Sequence, residues 1–92
     1  MSAADPDRDP LVQELREEIA ALDRAIVEAI NRRVELVRRL KEHKAAQGWE
    51  FVDRAREERM LADLARANAG PLSSEGLRDI YAQLLELTKR EV

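Results

Sequence analysis

Three cations, two carboxylates and a hydroxyl recur along this chain at spacings that would let them meet one small ligand. Arg33 and Lys44 are eleven residues apart. On a helix that is three turns plus about 20°, so the two lie on one face, about 16 Å apart along the axis. Each stands where the surrounding pattern would put an apolar side chain, Arg33 seven residues after Ile26 and Lys44 seven after Val37. Side chains of this kind can snorkel to water past a packed stem, or they can close on one small anion between them. Asp53, Arg56 and Glu57 follow at i, i+3 and i+4 and so share a helical face. Asp53 also suits a helix cap, which would leave Arg56 and Glu57 as a solvated pair. Thr88 sets a hydroxyl in an apolar row, where it can simply bond back to the preceding turn. Each feature alone has a bland reading. Together, on elements that a helix, loop and helix could bring close, they suit a small polyanion that also carries a hydroxyl.

The element that must position the first two is a long helix. Leu15, Ile19, Leu22, Ile26, Ile30, Val37 and Leu40 fall at steps of three, four or their sums, the 3.6-residue period of a helix that buries one stripe. Asp9 and Pro10 supply a cap and a first-turn proline, and neither Gly nor Pro occurs again before Gly48. The pattern predicts one helix from residue 10 to about residue 44, roughly 52 Å of rod. A compact chain of this length should be only about 32 Å across. The stripe is therefore too long for the remaining residues to cover, and a partner is expected, most simply a second copy of the same chain.

Residues 45–52, with Gln47, Gly48 and Trp49, break the helical period and read as a surface loop that Trp49 and Phe51 tack onto the body. Asp53 is placed to cap a second helix running to about Asn68, with Met60, Leu61 and Leu64 inward and the stretch 68–71 as its stop. Ser73 or Ser74 opens a third helix, whose stripe is Leu77, Ile80, Tyr81, Leu84, Leu85 and Thr88. The expected fold is all-α, a protomer of one long and two shorter helices entwined with a copy of itself in a homodimeric bundle.

Composition removes several kinds of function. With 92 residues the chain is one domain with little room for a private core, and it has no cysteine to staple it. Thiol chemistry and zinc-finger sites are excluded, and the lone His43 cannot make a metal site by itself; on its charged stretch it reads as solvated. A net charge of −3 and 3% aromatic residues give little to nucleic acid. Residues 1–9 are polar and acidic with a proline at Pro6, unlike a signal peptide, and read as a disordered tail ahead of a domain at 10–92. Nothing approaches a membrane span, and a cytoplasmic protein is expected.

In their order and spacing these residues resemble the all-helical (type II) chorismate mutases. The resemblance is carried by Leu15-Arg16-Glu17-Glu18-Ile19 with Leu22-Asp23, then Arg32-Arg33, Lys44, Asp53 with Arg56-Glu57, and a hydroxyl on the last helix, and it spans about residues 11–88. It implies an entwined dimer with two shared active sites that rearranges chorismate to prephenate, on the way to phenylalanine and tyrosine, without cofactor or metal. Arg33 and the partner's Arg16 would clamp the two carboxylates, and Lys44 would point at the ether oxygen. Glu57 would accept from the ring hydroxyl with Asp53 beside it, and Arg56 and Thr88 would complete the polar wall. The distances agree with an Arg16 acting in trans: it lies 17 residues before Arg33, about 25 Å along the same rod and about 100° round it. One position departs from the family. Four residues after the hydroxyl the family has a glutamine or glutamate that gives the ether oxygen a second hydrogen bond, and here that position is Val92. Losing one preorganised donor typically costs about 10² to 10³ in rate. Two other readings follow from the same residues. One is a lyase of this fold that eliminates pyruvate from isochorismate, which matches less well between Lys44 and Glu57. The other, favoured by Val92, is a weakly active or non-catalytic helical module that binds another shikimate-pathway enzyme.

Overall fold

The computed structural model describes residues 5–92 and shows, among them, a short 3-10 helix Pro6–Arg8 and three α-helices: α1 Pro10–Gln47, α2 Arg54–Ala67 and α3 Ser74–Glu91. The all-α, three-helix reading holds, with no strand among the described residues. By its internal contacts the chain divides into two compact units, Met1–Arg33 and Val34–Val92, and α1 runs through the boundary without a break.

In the first unit the start of α1 is fixed as the sequence predicts, the Asp9 carboxylate accepting from the Val12 N–H at 3.0 Å. The tail ahead of it differs from expectation. Residues 1–4 lie outside the described residues, but Asp5 caps the 3-10 turn through the Asp7 N–H. Gln13 then donates to the Asp7 carbonyl at 2.8 Å, and Arg16 pairs with the Asp7 carboxylate. Polar side chains of the helix's first two turns thus give the acidic turn partners that composition alone does not reveal. The apolar stripe is uncovered: Leu11, Leu15, Ile19, Leu22, Ile26 and Val27 are all between 48% and 63% exposed. Covering the exposed half of six such side chains would contribute on the order of 5 kcal/mol or more.

In the second unit α1 continues past the expected end near Lys44, because Ala45, Ala46 and Gln47 are helix formers and the first breaker is Gly48. Gly48 ends it with φ +74°. Its N–H donates to the Ala45 carbonyl and that of Trp49 to the Lys44 carbonyl, the paired bonds of a left-handed helix stop. Asp53 caps α2 by accepting from the Arg56 N–H, and Ser73 rather than Ser74 caps α3 by accepting from Gly76. Asn68 closes α2 by bonding across its own turn, donating to the Leu72 carbonyl and accepting from the Gly70 N–H.

The core of this unit is small. α2 packs against α3, burying Leu77, Leu84 and Thr88, with Met60, Leu61, Leu64, Tyr81 and Leu85 half-covered. Ile80, expected in the inward row, is 53% exposed, because the α3 stripe is wider than one helix can cover. The loop also differs from expectation. Phe51 is half-buried with the Lys41 ammonium 5.5 Å from its ring centre, whereas Trp49 stays 62% exposed. Trp49 meets His43 edge to face at 6.2 Å, so the histidine expected to be merely solvated has an aromatic neighbour. The last turn of α3 is tied to α1 through its carbonyls: Arg38 donates to Glu91 at 3.1 Å and Lys41 to Val92 at 2.9 Å. Cations at a helix C-terminus also meet the negative end of its dipole.

Candidate active site

Within the second unit the turn after α1 does the first positioning step. By reversing the chain at Gly48 it brings the Phe51 carbonyl to 3.2 Å from the Lys44 ammonium, and Lys44 is half-buried rather than extended into water. An ammonium has three protons, so this one bond orients the group without exhausting it.

The first turn of α2 carries the acidic part. Asp53 is the cap and is exposed, so its bland reading is realised in the protomer. Glu57 is not half of a solvated pair with Arg56. Its carboxylate is paired with the Lys89 ammonium of α3 at 2.9 Å, with side-chain exposures of 26% and 41%. Arg56 lines a groove of about 410 Å³ along α2 with Arg59, Met60, Asp63, Leu64 and Ala67. Of the candidate ligand-binding residues Arg56 alone borders this groove, which is a face of one helix. Thr88 is the most deeply buried of the set, 3% exposed, and its hydroxyl donates to the Leu84 carbonyl at 2.6 Å.

In the first unit Arg16 is exposed and pairs with Asp7, both side chains more than half open to water. Such a pair is worth at most about 1 kcal/mol, so the guanidinium is easily released to another acceptor. Arg33 is half-buried. Among the described residues no three His, Asp or Glu side chains converge as a metal-holding set, and none of the helices is long and apolar enough to cross a membrane.

The model of the type II chorismate mutase family matches residues 15–91. The chain belongs to this family. No match was found among the curated proteins. As a type II chorismate mutase domain, the chain keeps every residue singled out from Arg16 to Thr88 inside the matched span. The Pro6–Arg8 turn with Asp7, and Val92, lie outside it.

Two features of this chorismate mutase domain escape sequence reasoning. Lys89 is one step from Thr88 in the chain, and nothing in the α3 periodicity marks it; only the packing of α2 on α3 makes it the partner of Glu57, 32 residues away. Val92 is the C-cap of α3. Its N–H donates to the Thr88 carbonyl at 3.0 Å and its own carbonyl accepts from Lys41. Val92 thus sets a side chain with no donor on a backbone held at both its N–H and its oxygen.

Proposed function

We propose that the chain is a chorismate mutase that works as a homodimer with two shared active sites, converting chorismate to prephenate in the cytoplasm for phenylalanine and tyrosine synthesis. The observation that carries this reading is the family match over residues 15–91, which encloses Arg16, Arg33, Lys44, Asp53, Arg56, Glu57 and Thr88. The dimer is supported by the uncovered stripe from Leu15 to Val27, which a second copy of the same helix would fit.

The reaction is a concerted rearrangement. The ether C–O bond breaks as a C–C bond forms between the two ends of the same molecule, so no nucleophile or external proton is needed. Holding both ends in contact removes most of the entropic barrier. Arg33 and the partner's Arg16 would take the two carboxylates, and Lys44, already oriented by the Phe51 carbonyl, would face the ether oxygen as negative charge grows on it. Glu57 would accept from the ring hydroxyl, with Asp53 and Arg56 beside it. Thr88 would have to turn its proton away from Leu84 to donate to a ligand.

The test is to incubate the purified chain with chorismate, follow loss of its absorbance and identify the product. Prephenate is the expected product. Pyruvate from isochorismate would select the lyase, and no turnover of either compound would select the helical module that binds another enzyme.

A further inference from the structure

The Lys89–Glu57 pair differs in kind from four other ion pairs among the described residues. Arg8–Asp5, Arg66–Asp63 and Arg90–Glu86 join residues three or four apart, and Arg16–Asp7 residues nine apart. Every side chain in those four pairs is at least 54% exposed. Lys89 and Glu57 instead join α3 to α2, at 41% and 26% exposure, with 2.9 Å between nitrogen and oxygen. The lysine end is itself held. It stands in the last turn of α3, which Arg38 and Lys41 fasten through the Glu91 and Val92 carbonyls. A carboxylate on a flexible side chain is thereby fixed by a cation whose backbone is anchored.

A fixed, compensated carboxylate is what a ligand with two negative charges and one hydroxyl requires. A bare Glu57 would repel both carboxylates of such a ligand and would lose rotamer freedom on accepting the hydroxyl proton. Paired with Lys89, it meets the ligand as a neutral unit that still offers an acceptor lone pair in a set direction. We propose that Lys89 is a positioning residue: it holds and neutralises Glu57 so that Glu57 accepts the ring hydroxyl of a dianionic substrate. This rests on the role given to Glu57 under the proposed function.

The experiment uses the full chain and chorismate. Lys89→Met should lower kcat/KM about 5- to 10-fold, the scale of a charge-assisted contact discounted for partial exposure. Lys89→Arg should stay within about twofold, since a cation remains at the carboxylate. In a Glu57→Gln background Lys89→Met should cost less than about 1.5-fold, because the group it acts through has lost its charge. Lys89→Gln repeats the comparison should the methionine variant fold poorly. A purely structural brace would not move a fourth quantity, the ratio of Kd values for a dicarboxylate ligand with and without the ring hydroxyl; Lys89→Met should shrink that preference. If the parent chain does not rearrange chorismate, the proposed function itself fails. If the parent is active but Lys89→Met keeps full kcat/KM, costs as much in the Glu57→Gln background, or leaves the hydroxyl preference unchanged, the positioning role alone is overturned.

Discussion

At the scale of single residues, Lys44 is a charged side chain held by the protein's own backbone rather than extended into the solvent. Its stem lies in the apolar register of α1, and its ammonium is steered by the Phe51 carbonyl delivered by the turn that follows. A group oriented before ligand arrives costs no reorganisation when charge develops on the ether oxygen. Lys44→Ala should therefore lower kcat by at least about 10²-fold with a much smaller rise in KM, while circular dichroism and the state of assembly match the parent. A variant with unchanged kcat would remove Lys44 from the site. The sequence marked Lys44 and Arg33 because a cation in an apolar stripe is visible in one dimension, and it marked Asp53 because capping is local. It gave no sign of the Lys89 partner of Glu57, since an ion pair between residues 32 apart depends on how two helices meet. Thr88 was legible as a hydroxyl in the wrong row, but its back-bond to Leu84 shows that the local use of such a group is realised in the protomer.

Among the elements, the three helices were legible because their limits are written in local chemistry: Asp9, Asp53 and Ser73 at the starts, Gly48 and Asn68 at the stops. The loops were less so. Trp49 and Phe51 are equally apolar in sequence, yet only Phe51 is half-buried, next to Lys41. Gly48 carries the most consequence of the stops, because the reversal it makes sets the distance from Lys44 to Phe51. A side chain at φ +74° is strained even though nothing lies within 4 Å of where a Cβ would stand. The cost of a left-handed non-glycine residue is about 1–2 kcal/mol. Gly48→Ala should lower the urea midpoint by the equivalent of about 1 kcal/mol, measured at fixed protein concentration because assembly also shifts the transition. An unchanged midpoint would mean that the turn is not bearing that strain.

For the whole molecule, the uncovered stripe from Leu15 to Val27 and the spacing of Arg16 from Arg33 lead to the same expectation, a site completed by a second copy. The pattern of the stripe was readable because an amphipathic helix needs only its own period to be recognised; what covers it was not, since the second surface is absent from a one-dimensional pattern. Shared sites have a consequence that sites within one chain do not. Arg16→Ala and Arg33→Ala should each be nearly inactive alone, because every site then lacks one carboxylate clamp. In a mixed dimer, two-fold symmetry gives one site Arg33 from the first mutant and Arg16 from the second, both intact, while the other site loses both. Unfolding and refolding equal amounts together makes about half the dimers mixed, each with one of two sites restored, so activity should recover to roughly a quarter of the parental level. A site built within one chain gains nothing from the exchange. Activity that remains at the level of the separate mutants, in a sample shown to contain mixed dimers, would sink the shared site while leaving the family and the helices untouched.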